Sequence, residues 1–222
     1  MEVSKLFSSG TLVLTIAATV GEIGILTFDS CFPDSLVGLN VKVKLANAYF
    51  ILYMMRYRKD DLIGLVLTHA HEDHIGAIAH IWPHLLCDIY ATPFTSVLIK
   101  EKFKEKKIEI GNKLKVVELN GTVQLGPFKI EFVTLTHSIL EPNGLSIETP
   151  VGTVLHTGDW KCDPDPLIGE TINEKKLKQI GDKGVLAMIC DSTNVFSPGR
   201  SGSESDVRKS LLKIMETKQN RI

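Results

Sequence analysis

Thr68-His69-Ala70-His71-Glu72-Asp73-His74-Ile75-Gly76 sets three histidines and an aspartate within six residues, directly after the apolar run Leu62-Ile63-Gly64-Leu65-Val66-Leu67. That run reads as a buried strand, and the residues from His74 to Leu86 read as the helix that follows it. In an extended strand exit, alternate side chains point the same way, so His69 and His71 are expected to reach one cation together. Asp73 and His74, at the helix entry, then face an adjacent cation, while Glu72 between the two pairs points away. Imidazole nitrogen and carboxylate oxygen suit a divalent ion of zinc type, with no need for redox chemistry or thiolate. Leaving so many polar groups buried and unpartnered would cost on the order of several kcal/mol. The helix entry near Asp73 also aims backbone N–H groups where a phosphate oxygen would be stabilised. His80 and His84, carried away from the first turn by helical projection, are expected to be solvent-facing or structural.

From Leu62 onward, short β-branched runs alternate with helical patterns, the signature of a layered α/β domain. Strands are expected at Cys87 to Tyr90, Lys115 to Leu119, Thr122 to Leu125, Phe128 to Leu135, Leu145 to Glu148, Thr153 to His156 and Val185 to Ile189. Asn-Gly, Gly-Pro and Pro-Asn-Gly read as the turns between several of these. Helices are expected at Thr95 to Lys107, at Asn173 to Ile180, and at Glu204 to Lys218 with Ser203 as N-cap. Two of the strand ends deliver further donors: His137 in Leu135-Thr136-His137-Ser138, and Asp159 in His156-Thr157-Gly158-Asp159. Strand ends are where open sheets gather their ligands.

The remaining composition narrows the classes. With 222 residues, 44% apolar, the chain can bury a substantial core, and a net charge of −1 gives no global positive field toward nucleic acid or an anionic membrane. Any RNA contact must be local. Lys100, Lys102, Lys104, Lys106 and Lys107 are interleaved with Glu101 and Glu105, so they read as a solvated helix face. Cys31, Cys87, Cys162 and Cys190 form no CxxC pair, and they read as reduced, mostly buried thiols of a cytosolic protein. Thr11 to Val20 could imitate the apolar part of a signal peptide, but its β-branched content favours a buried first strand, and it is too short to span a membrane.

The order HxHxDH, then a histidine in a Thr-His-Ser context, then His-Thr-Gly-Asp resembles the metallo-β-lactamase superfamily. Gly21-Glu22-Ile23-Gly24, Phe32-Pro33-Asp34, Tyr90-Ala91-Thr92-Pro93, His156-Thr157-Gly158-Asp159-Trp160-Lys161 and Asp191-Ser192-Thr193-Asn194 resemble, more narrowly, the ribonuclease J family of β-CASP ribonucleases. The resemblance covers nearly all of the chain beyond residue 20, most closely Tyr57 to Pro198. It implies a partial αββα sandwich over residues 1–195, with residues 196–222 as the start of a β-CASP domain. It implies two divalent metal ions, zinc in kind: His69, His71 and His137 hold one, Asp73 and His74 hold the other, and Asp159 bridges them. Asp73, His74 and Asp159 then stand closest to the chemistry, and Asp191 and Ser192 support substrate binding. The implied reaction is hydrolysis of RNA phosphodiesters, by internal cuts or 5′ to 3′ trimming, in the cytoplasm and with no membrane partner.

The sequence also departs from that family. Only eight residues run from Gly24 to Cys31 where the family places two strands and an aspartate-containing word, so an incomplete sheet edge is expected, with Asp29 the candidate to stand in for that aspartate. Lys44 to Tyr57 is more apolar than the family's connection there and invites association. Family members are more than twice as long, which implies a truncated chain lacking one histidine ligand and the RNA groove, with impaired turnover. Two other readings stay open. One is a catalytically inactive remnant that forms a homo-oligomer or pairs with a full-length homologue through an exposed sheet edge. The other is a small-molecule metallo-hydrolase of glyoxalase II type, which hydrolysis of a thioester but not of RNA would support.

Overall fold

The computed structural model describes residues 6–15, 23–31, 36–39 and 62–217. Its centre is a pair of stacked sheets. The first is parallel, in the order β6 (Gly64–Val66), β7 (Asp88–Ala91), β8 (Leu114–Val116). The second has five strands: β9 (Thr122–Leu125), β10 (Phe128–Thr134), β11 (Asn143–Thr149) and β12 (Gly152–His156) form an antiparallel meander, and β13 (Ala187–Ile189) joins β12 in parallel at the edge.

Alternation along each strand explains why the layers stack. In the apolar run around β6, Leu65 and Leu67 face one way, into a core with the helices, and Val66 faces the other, onto the second sheet. Ile89 and Ala91 likewise meet the helices while Tyr90 crosses to the second sheet. That a strand is apolar on both faces is what a buried parallel sheet requires. From the opposite side, Ile130 and Phe132 of β10 and Leu145 and Ile147 of β11 close the sheet-to-sheet core.

Helices α1 (Glu72–Ile75), α2 (Ile78–Leu85) and α3 (Pro93–Glu105) belong to the first sheet's connections. The helix expected from His74 to Leu86 is thus two helices, starting two residues earlier and broken at Gly76-Ala77. Thr95, Ile99 and Phe103 recur at every fourth residue on the buried face of α3, and the Phe103 ring meets Trp82 edge-on at 5.5 Å. Pro93 pre-sets the first turn of α3, and the Glu141 carboxylate accepts the Phe94 N–H at 2.8 Å from a distant loop. The lysine face is solvated as expected, apart from Lys102, which reaches Glu72 at 2.5 Å and draws that carboxylate away from the histidines. His80 and His84 are exposed.

On the outer face of the second sheet lies α4 (Glu174–Lys183), started by Asn173, whose side chain accepts the Lys176 N–H at 3.1 Å. Ile180 is buried there, and Lys176 pairs with Glu131, which alternates away from Phe132 on β10. The layer order is therefore helix, sheet, sheet, helix. The final helix, α5 (Glu204–Thr217), has Ser203 at its start, with the Asp206 N–H donating to Ser203 Oγ at 3.3 Å.

In the amino-terminal part, β2 (Leu12–Thr15) pairs antiparallel with β3 (Ile23–Ile25) and β5 (Leu36–Leu39), and β1 (Leu6–Phe7) pairs with β4 (Ser30–Cys31). The first-strand expectation holds over Leu12–Thr15; residues 16–20, and the Lys44 to Tyr57 stretch, lie outside the described residues. Strands β3 and β4 take up the two ends of the shortened Gly24 to Cys31 segment, and Asp29 accepts the Ser9 N–H at 2.7 Å between them. Cys87 is buried, but Cys31 and Cys162 are exposed, which overturns the expectation of mostly buried cysteines. Among the described residues, no helix is long and apolar enough to cross a membrane.

Phe132 is fully buried between the sheets whereas Phe128, on the same strand, is 37% exposed. Phe132→Ala is expected to lower the unfolding free energy by about 3–5 kcal/mol, with the loss from Phe128→Ala well under half of that. Urea titration followed by circular dichroism measures both.

Candidate metal centre

Strands β10 and β12 both run antiparallel to β11, so they run in the same direction as each other, and β13 runs with β12. Their carboxyl ends therefore open at one end of the sandwich. The strand β6 leads to His69, β10 to His137, β12 to Asp159 and β13 to Asp191, so four loops distant in sequence share one site.

The His69 ring is completely buried, and its Nδ1 lies 3.0 Å from Thr68 Oγ1, which turns Nε2 inward. That Nε2 has no hydrogen-bond partner among the described residues. His71 Nδ1 and His137 Nε2 face each other at 3.0 Å, their rings 79° apart. Asp159 Oδ2 is the common vertex: His74 Nε2 approaches it to 3.2 Å, His137 Nε2 to 3.7 Å and His69 Nε2 to 3.8 Å. Asp73 Oδ2 lies 3.4 Å from His74 Nε2. Two donor groups result, His69 with His71, His137 and Asp159, and Asp73 with His74 and Asp159, the atoms within each group lying within 4.8 Å of one another.

The structure thus brings together all six side chains singled out in the sequence, and Asp159 belongs to both groups. Asp29, held by Ser9, is in neither. Asp191 and Ser192 also lie outside them; the Asp191 N–H donates to Thr157 Oγ1 at 3.0 Å, and Asp191 Oδ1 accepts from the N–H and hydroxyl of Thr193.

These residues fit a divalent cation on their own geometry. Donors about 2.0–2.1 Å from a tetrahedral ion stand about 3.3 Å from one another, and the closest approaches here run from 3.0 to 3.8 Å. A His69 ring that donates from Nδ1 to Thr68 Oγ1 presents a lone pair at Nε2, the atom left without a hydrogen-bond partner among the described residues. A buried orphan nitrogen facing three further donors is costly in a purely structural cluster and is what a ligand shell needs.

Burial disfavours protonation of three rings here, His69, His137 and His156. Burial, followed by the nearby His74, His137 and His71, pushes the His69 imidazole down to about 3. Burial also lowers His137, with His71 adding to the effect and Asp159 opposing it. His156 is lowered in the same way, by burial and then by His74. Its Nδ1 accepts the Gly158 N–H at 3.0 Å, which makes it a shaping residue that the sequence reading passed over.

Other supports were equally silent in sequence. Thr136 Oγ1 donates to the Lys161 carbonyl and accepts the Asp163 N–H at 3.1 Å, tying the His137 loop to the segment after Asp159. Burial alone would raise the Asp163 carboxyl. Hydrogen bonds from the Glu204 N–H, Lys161 and the Asp165 N–H outweigh it and hold that carboxyl below its ordinary range. Gly158 has φ +59°, and a Cβ there would come within 2.9 Å of the Asn143 carbonyl oxygen and 3.2 Å of Thr68 Cβ. Only glycine combines that backbone with that closeness.

Residues 35–222 match the family model of the metallo-β-lactamase superfamily, and the chain belongs to that superfamily. Within it, the chain is similar to ribonuclease J of Sinorhizobium meliloti, 41% identical over 174 residues that make up 78% of this chain and 30% of that protein. It is similar as well to ribonuclease J of Thermus thermophilus, 31% identical over 94% of this chain and 37% of that protein. The chain spans between 22% and 38% of the length of such relatives. In fold it is similar to a crystal structure of a protein of unknown function from Enterococcus faecalis V583, with a TM-score of 0.52 and 16% identity over 95% of this chain and 58% of that one.

Unfolded, each of these histidines takes up a proton near pH 6.5, and folded, His69, His137 and His156 resist it. Between the folded and unfolded values the unfolded chain binds more protons, so stability is full above pH 6.5 and falls as pH drops toward 3. Chelator-treated protein is expected to show a lower urea midpoint at pH 5 than at pH 7.5. His69→Gln should flatten that dependence.

Proposed function

We propose that the chain is a metal-dependent ribonuclease module that hydrolyses RNA phosphodiesters with two divalent cations, zinc in kind. The observation that carries this reading is the meeting of His69, His71, Asp73, His74, His137 and Asp159 around the shared Asp159 Oδ2. Similarity to ribonuclease J supports RNA as substrate.

His69, His71 and His137 would hold one ion and Asp73 and His74 the other, with Asp159 between them. Ions held there would supply a nucleophile at neutral pH and positive charge for both oxygens of an in-line displacement at phosphorus. The protein's own part is positional. Neutral rings offer lone pairs at pH 7, because burial keeps protons off His69 and His137. Thr68 fixes the His69 ring through Nδ1. Glu72 pairs with Lys102, and among the described residues the carboxylates in the two donor groups are Asp73 and Asp159. Asp191 and Ser192, at the same end of the sheet, would contact substrate. Residues up to about 195 would form the metal-binding unit. Residues 196–222 would begin an adjoining one, since α5 has no buried residue and joins the rest through Glu204 and Ser205 bonding to Asp163, Asp165 and Leu167.

A second reading, association with another copy or a longer homologue, is favoured by the edge strand β13, where Met188 and Ile189 are exposed. Light scattering of the purified chain distinguishes it: a monomer at micromolar concentration removes self-association.

With zinc or manganese present, the chain is expected to cleave a 5′-monophosphorylated RNA, chelator is expected to abolish cleavage, and His74→Ala to lower kcat about 100-fold or more. Equal cleavage by both proteins, followed on denaturing gels, would remove the two-metal proposal.

A further inference from the structure

Asn143 is 1% exposed, yet it carries no donor atom of either cluster. In sequence it sits in Pro142-Asn143-Gly144, which reads as a turn; in the structure it is instead the first residue of β11, inside the sheet. It touches all three stretches that bring the six donors together. Toward the first, its backbone N–H donates to the Thr68 carbonyl at 3.1 Å, and its side-chain Nδ2 donates to the same oxygen at 3.3 Å, so the peptide just before His69 is gripped twice. Toward the second, Asn143 pairs with Thr134 at the end of β10, and the Leu135 N–H donates to the neighbouring Pro142 carbonyl at 3.0 Å, which sets where the chain leaves for His137. Toward the third, its carbonyl oxygen forms the wall against which Gly158 packs, one residue before Asp159.

The side-chain orientation is determined by its partners. Nδ2 must face two carbonyls, Thr68 and Glu141, the latter at 2.6 Å, and this leaves Oδ1 buried with no hydrogen-bond partner among the described residues. An unpaired buried acceptor is destabilising, and an apolar residue of similar size would avoid it. For a residue that served the fold alone, that cost is unexplained. A shape that holds three ligand-bearing loops in register does explain it, since outer groups that orient ligands set affinity nearly as strongly as the ligands themselves.

We infer that Asn143 is a positioning residue of the metal centre, fixing the separation of His69, His137 and Asp159 through the Thr68 carbonyl and the Gly158 contact. The inference rests on the two-metal reading of the site.

The test titrates the chelator-stripped 222-residue chain with Co2+, reading affinity by calorimetry and ligand geometry from the visible absorption band. Asn143→Asp, which replaces the two N–H donors by oxygen, is expected to weaken Co2+ binding about 10–100-fold and to shift the band. Asn143→Ser should do the same with a smaller side chain. Ser146→Ala, at a buried position of the same strand that faces α4, controls for loss of sheet stability and should leave titration and band unchanged. Wild-type affinity and band in either folded Asn143 variant overturn the inference. So does failure of both Asn143 variants to fold while Ser146→Ala folds, since the residue then holds the sheet and not the centre. If the unsubstituted chain takes up no Co2+, the metal-centre reading itself falls, and this inference with it.

Discussion

Two sheets pressed face to face by Ile130, Phe132, Leu145 and Val66 decide where every donor ends up. Once β10 and β12 lie on either side of β11, their carboxyl ends have to open at the same end of the sandwich, and the first sheet brings the exit of β6 alongside. Nothing in the histidines themselves attracts them to one another; rings 4.0 to 5.2 Å apart are tolerated because packing elsewhere forces the convergence. The apolar core thus supplies the free energy, and the polar cluster imposes a cost on it.

Much of this was legible in the chain. A strand apolar on both faces followed by His-x-His-x-Asp-His announces a buried parallel strand ending in a donor cluster, because strand periodicity projects positions 69 and 71 together. Phe128 to Leu135 shows its alternation openly, with Lys129 and Glu131 set against Ile130 and Phe132. Asn173 and Ser203 were readable as helix starts, since short polar side chains cap the N–H groups that a first turn leaves over.

What was hidden is mostly local geometry set by tertiary contact. The break between α1 and α2 carries no proline, and helical periodicity passes through it. Pro142-Asn143-Gly144 has turn composition but is strand, since pairing with Thr134 and bonding to Thr68 override local preference. Glu141 as a cap for α3, 47 residues away, has no sequence signal of any kind. Exposure of Cys31 and Cys162 could not be read from composition, which reports average habits and not place.

Gly158 gives the site a genetic consequence. Every missense change at a glycine codon adds a Cβ, and here that carbon would press on the Asn143 carbonyl oxygen and on Thr68 at a positive φ. No single nucleotide substitution that alters this residue offers a neutral first step, so drift at this position is closed off from the outset.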